Sequence, residues 1–117
     1  MLRIIDLPGA LTGRGYNPTV EAELGFTIDD LDAPWNTGSW TLTVAGGTAT
    51  VRRESDDPTP RSDRPAIAMP TLSAIYSGYL NPVALQRSGG LPGANPTMAA
   101  RLAGVFAGPP PRMVDHF

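Results

Sequence analysis

The stretch from Ser39 to Arg53 constrains this chain most, because its two halves pair sensibly in only one register. Trp40, Leu42 and Val44 alternate with Ser39, Thr41 and Thr43, and Gly46-Gly47 follows as a two-residue turn. With that turn Val44 faces Ala49, Leu42 faces Val51 and Trp40 faces Arg53. The apolar faces then coincide, and a slip of one residue would send them all to the wrong side. The Trp40–Arg53 pair predicts a cation–π contact at the rim of the core. Upstream, Val20, Ala22, Leu24, Phe26 and Ile28 alternate with Glu21, Glu23, Gly25 and Thr27, which predicts another half-buried strand.

Helices are marked by their caps. Asp6 precedes a short apolar run with Pro8 in its first turn, stopped by Gly13 and Gly15. Asn81-Pro82 and Asn95-Pro96 each set a capping side chain before proline at the first helical position. The first of these helices stops at Gly89-Gly90; the second carries Met98, Leu102, Val105 and Phe106 on one face and ends near Gly108. Ala66–Met69 reads as a short strand ended by Pro70, after which Thr71 caps a helix presenting Leu72, Ile75, Tyr76 and Tyr79. Tyr76 and Tyr79 read as core and rim. The segment 54–64 has no apolar residue except prolines and is expected to be a mobile loop. The turn 29–38 carries Asp29, Asp30 and Asp32, but it lacks the central glycine and twelfth-position glutamate of a calcium loop. Its carboxylates are expected to be solvated.

At 117 residues the chain holds one domain, and 13 glycines with 13 prolines imply many turns and short elements. There is no cysteine and a single histidine, His116, and all nine basic residues are arginine. Disulfides, thiolate catalysis, multi-histidine metal sites and lysine Schiff bases are thereby excluded. A formal net charge of −2 argues against a nucleic-acid partner bound through a broad basic face. No apolar run approaches the roughly 20 residues of a membrane span, and Met1–Asp6 lacks a signal-peptide stretch, so a cytoplasmic location is expected.

Gln86–Ala94 brings together glutamine, arginine and glycines in the manner of a coenzyme A pyrophosphate loop. Its glycines follow a helix instead of opening one, and Leu91 or Pro92 stands where glycine or alanine is needed. A helix C-cap is the expected reading, with no cofactor bound by this chain. The helix faces could also line a lipid cavity, though a filled core explains them as well.

Three stretches resemble one family. Leu2–Leu11 is similar to the opening of the C-terminal domain of enhanced-intracellular-survival acetyltransferases. Pro34-Trp35-Asn36-Thr37-Gly38-Ser39-Trp40 resembles the motif that leads into a strand there, and Ala68–Tyr79 its strand-to-helix passage. The resemblance implies an α+β, sterol-carrier-protein-like fold, with a mostly antiparallel twisted sheet of about five strands and helices packed on one face. It implies a domain at 1–108 and an extended proline-rich tail at 109–117. It also implies acetyl-coenzyme A and an amine bound by GNAT-type domains of the same parent chain, in a homo-oligomer. In that family the terminal residue enters the acetyltransferase site and its α-carboxylate deprotonates the substrate. Phe117 is the matching position. An acidic residue often precedes it; here His116 does, with Asp115 one step earlier, and these two are expected to contact substrate. Pro109-Pro110-Pro111 would stiffen the arm. The chain is then expected to be an excised domain without activity of its own, the alternative being a free-standing carrier of fatty acyl or sterol ligands.

Overall fold

Both central glycines of the hairpin turn have positive φ, +60° at Gly46 and +85° at Gly47, the combination whose twist suits two antiparallel strands. Around it the computed structural model, which describes residues 4, 6–91 and 93–107, places β2 (Gly38–Ala45) against β3 (Thr48–Ser55). Val44 pairs with Ala49, Leu42 with Val51 and Trp40 with Arg53, the register expected from the alternation. The Arg53 guanidinium lies 4.6 Å from the Trp40 ring centroid. On the other side β1 (Ala22–Ile28) pairs antiparallel with β2, setting Leu24 beside Leu42 and Phe26 beside Trp40.

Four helices complete the chain: α1 (Leu7–Gly13), α2 (Met69–Tyr76), α3 (Pro82–Arg87) and α4 (Pro96–Val105). Three of the four predicted caps are made. The Asp6 carboxylate accepts from Gly9 N, the Asn81 side chain from Val83 N and Ala84 N, and the Asn95 side chain from Met98 N. Leu7 and Leu11 of α1, Leu72, Ile75 and Tyr76 of α2, and Leu102 and Val105 of α4 join the strand residues in one core. No helix among the described residues is long and apolar enough to cross a membrane.

The expectation of about five strands is corrected to three among the described residues, in the order β1-β2-β3. Segment 66–69 makes one parallel bridge, with Thr27 N donating to Pro65 O and Ile67 N to Thr27 O. Its alternate burial of Ile67 and Met69 is genuine. The ladder stops because Pro65 and Pro70 offer no N–H and the chain turns into α2 at Met69. Pro70 therefore lies in the first turn of α2, whose N-cap position is Ala68 and not Thr71. A proline there gives up an N–H that has no helical partner anyway.

Part of the sheet's second face is covered too. Gly25 leaves room for Arg64, whose Nη1 donates to Trp40 O at 2.7 Å, and Thr27 and Thr41 are buried beneath that segment. The stretch expected to be a mobile loop thus contributes a sheet-spanning arginine and an Arg61–Arg64 turn bonded in both directions. The Asp29–Gly38 turn contains a 3-10 turn at Pro34–Asn36. Asp29 and Asp32 are exposed, but Asp30 is buried, and its Oδ1 accepts from Asp32 N and Ala33 N. That carboxylate folds the turn instead of facing solvent.

Gly38 precedes a register irregularity between β2 and β3 that falls at Ser39 and Trp40, and it has φ +147° with the Ser55 carbonyl oxygen where a Cβ would go. Gly46 has positive φ but open space around it. Gly38→Ala is expected to cost about 2–4 kcal/mol and Gly46→Ala about 1–2 kcal/mol, as measured by urea unfolding midpoints at constant slope.

Candidate functional site

Helix α4 brings the chain to Phe106 and Ala107, where the described residues of this end stop. Asp115, His116 and Phe117, with Pro109–Pro111, lie outside the described residues. The described residues at this end form the root of that segment, the packing around Phe106.

The root is built by a buried arginine. Arg14, just after α1, is 7% exposed, and its guanidinium lies 5.3 Å from the Tyr16 ring centroid, 5.0 Å from Tyr76 and 5.2 Å from Phe106. The Phe106 ring meets both tyrosines edge-on, with centroids 6.3 and 6.2 Å away. Arg14 Nη1 donates to Tyr76 O at 2.8 Å. That carbonyl belongs to the last turn of α2, where a cation is favoured by the helix dipole. The phenols point back to the first helix: Tyr76 Oη donates to Ala10 O at 2.7 Å and Tyr16 Oη to Leu11 O at 2.5 Å.

Burial works on all three titratable groups. Loss of water pushes the Tyr16 phenol well above the ordinary phenol range, opposed by the nearby Arg14 charge. Tyr76 rises for the same reason. Arg14 is lowered by its own burial, and the two phenols pull it back. Both tyrosines are therefore neutral donors at physiological pH and unsuited to act as bases. Their chemistry here is positional: they hold a cation against the last buried side chain before the tail.

Of the tyrosines singled out in the sequence, Tyr76 is core, whereas Tyr79 is 86% exposed. Helix α2 ends at Tyr76 because Gly78, at φ +80°, closes it with Gly78 N donating to Ile75 O and Tyr79 N to Ala74 O. The same closure ends α3: Gly89 N donates to Gln86 O and Gly90 N to Leu85 O. Gly89 and Gly90 of the Gln86–Ala94 stretch thus cap a helix C-terminus, as the sequence implied. A groove of about 430 Å³ adjoins the root, lined by Ile75, Leu80, Pro82, Ala103, Phe106 and Ala107 among others. Among the described residues no three His, Cys, Asp or Glu side chains converge as a metal site would require.

Sequence reasoning passed over Arg14. Nothing local marks it, since the rings it meets stand 2, 62 and 92 positions further along the chain. The one available signal was an arginine between two helix-stopping glycines and beside a tyrosine.

A three-stranded antiparallel meander with helices packed on its apolar face is an α+β arrangement of the sterol-carrier type. Residues 7–114 match the sterol carrier protein domain family, and the chain belongs to it. An uncharacterized N-acetyltransferase of Streptomyces avermitilis is 34% identical over 88 residues, covering 75% of this chain and 20% of that protein. The crystal structure of a GCN5-related N-acetyltransferase from Anabaena variabilis superposes with a TM-score of 0.77 at 30% identity, over 93% of this chain and 26% of that one. Another, from Kribbella flavida, gives 0.75 at 33% identity, over 98% and 28%. The chain spans 20–28% of the length of these relatives.

The phenols give the root a pH signature. A folded-state pKa raised above the unfolded value contributes stability in full below about 10, lost as pH rises through the folded value. Thermal melts from pH 8 to 11 should show stability falling above about pH 10. Tyr16→Phe should flatten that fall while lowering stability at pH 8 by about 1 kcal/mol through the lost bond to Leu11 O.

Proposed function

We propose that this chain is the accessory domain of a cytoplasmic, acetyl-coenzyme A-dependent amine N-acetyltransferase of the enhanced-intracellular-survival type. It buttresses the GNAT-type catalytic domains of its parent, helps the oligomer assemble, and delivers the α-carboxylate of Phe117 to the substrate amine. Acetyl-coenzyme A belongs to the partner domains. The observation that carries this reading is one of proportion: nearly all of this chain aligns with about a quarter of proteins named N-acetyltransferases.

Simple geometry is compatible with it. The ten residues from 108 to 117 span at most about 33–36 Å when extended, enough to enter a neighbouring domain from a fixed root. The three prolines lower the cost of ordering the arm. An unperturbed α-carboxyl has a pKa of about 3.3–3.7 and is a weak base; a dry cleft raises it and so strengthens it. The carboxylate would take one proton from the substrate ammonium and so free the nitrogen lone pair; acetyl-coenzyme A held by the partner domains would then give its acetyl group to that nitrogen, with its thioester C–S bond breaking and coenzyme A leaving as the thiol with the nitrogen's second proton. His116 and Asp115, next in from the end, contact the amine's surroundings.

Membership of a sterol-carrier family favours a second reading, a lipid carrier. Against it, Leu24, Phe26, Leu42, Leu72, Ile75, Tyr76 and Leu102 are each 1% exposed and fill one core between sheet and helices. Saturable micromolar binding of a fluorescent fatty acid would favour the carrier.

In the full-length parent, adding residues after Phe117 should lower the acetylation rate by about 10²–10⁴-fold, the usual contribution of a general base. An unchanged rate would remove Phe117 from the mechanism. The 117-residue chain alone should give no turnover with acetyl-coenzyme A and an amine.

A further inference from the structure

We propose that the groove beside Phe106 is the seat of the chain's own Pro109–Pro111 run, so that the domain aims the arm as well as anchoring its base. The inference rests on the delivery role proposed for Phe117 and adds to it the surface that sets the arm's direction. The groove, about 430 Å³, is bounded by the end of α2, the start of α3 and the end of α4. Ile75 and Phe106 are its buried lining, and Leu80, Pro82 and Ala103 extend the apolar wall. None of the residues that line it is charged.

The turn after α2 gives this groove a firm edge. Tyr79 N donates to Ala74 O at 2.8 Å and Leu80 N to the same oxygen at 3.2 Å. That closure sets Gly78 and Leu80 in the lining and leaves the Tyr79 side chain between them open to solvent. An aromatic ring beside an apolar groove suits an extended proline-rich segment, whose preformed conformation loses little entropy on docking. The polar chemistry agrees. Proline has no N–H, so a run of prolines presents only carbonyl acceptors. Asn81 lines the groove and commits its Oδ1 to the cap of α3, while its Nδ2 is bonded to no described residue. That amide and the Tyr79 hydroxyl supply the donors such a segment needs.

The occupant follows from where α4 delivers the chain. Phe106 and Ala107 line the groove themselves, and Pro109 comes two residues after Ala107. Gly108-Pro109-Pro110-Pro111 is uncharged, and charge begins only at Arg112. An uncharged length of chain thus meets an uncharged groove, and the ionic residues of the tail come after it. In polyproline geometry residues 108–111 cover about 12 Å. The six residues from 112 to 117 then reach at most about 20–22 Å further. An arm seated along its first part sweeps a smaller volume than one held only at its base, which raises the effective concentration of its tip at a fixed target.

Hydroxyl-radical footprinting and NMR of the 117-residue chain test this. The comparisons are a chain ending at Ala107 and a variant carrying Pro109→Ser, Pro110→Ser and Pro111→Ser together. Leu31, 89% exposed, is the open reference, and Trp40, 3% exposed, reports that the core is intact in all three. Relative to Leu31, Tyr79 should label more slowly in the unsubstituted chain than in either variant, by about threefold or more. Proline Hδ protons should show NOEs to Tyr79 and Leu80. Equal labelling of Tyr79 in the three chains, or absence of those NOEs, would overturn the inference. So would protection kept by the serine variant, because the prolines would then not be what is seated. Protection that fades on dilution would overturn it too, since the groove would then hold a segment of another copy. No acetylation enters these readouts, so the seat and the role of the terminal carboxylate can fail separately.

Discussion

A buried guanidinium among three aromatic rings is the constraint on which the tertiary arrangement turns. Removing Arg14 from water is costly unless its charge is met. It is met by the faces of Tyr16, Tyr76 and Phe106 and by the Tyr76 carbonyl at the end of α2. Each partner belongs to a different part of the chain, so satisfying this one residue fixes the end of α1, the end of α2 and the end of α4 relative to each other. The phenol bonds to Ala10 and Leu11 close the arrangement from the opposite side. Small cation–π increments, about 0.5–2 kcal/mol each, become positional because they share one cation.

What could be read in the sequence was what depends on neighbours along the chain. The hairpin register, the strand at Ala22–Ile28 and the Asp6, Asn81 and Asn95 caps all follow from period or from a residue a few places away. Segment 66–69 shows where that logic stops. Its alternation was genuine as burial, yet a strand also needs a ladder, and prolines at 65 and 70 limited it to one bridge. Asp30 looked like its neighbours Asp29 and Asp32 and differs from them only because the backbone folds around it. Arg14 and Arg64 were least legible, whereas Arg53 was placed on Trp40 by the hairpin register and only its bonds to the carbonyls of Thr37 and Trp35 went unread. Those bonds, and the contacts of Arg14 and Arg64, depend on carbonyls or rings set by tertiary packing, and an arginine carries no mark in sequence that separates a solvated side chain from a structural strut.

This chain uses arginine for work that elsewhere falls to apolar residues or lysine. Arg64 spans the second face of the sheet to Trp40 O, and Arg53 ties the Trp35 turn to β3. The planar fork suits both tasks, since it reaches two carbonyls or one carbonyl and a ring face without losing its charge. A lysine at either place would give a single donor with no stacking surface.

The first and last described segments are both tied into the body of the domain. Its described N-terminal end is bonded to Ser73 and Asn36, and its described C-terminal end is packed on Arg14. An autonomous binding module has no need to control where its termini leave. A module that must present a tail to chemistry performed elsewhere does, because uncertainty at the root is carried to the tip, and a misplacement of about 1 Å at a reacting group can cost 10²-fold in rate. On the accessory role proposed above, firmness at both described ends, around a core filled with side chains, would carry position from one neighbouring domain to the next.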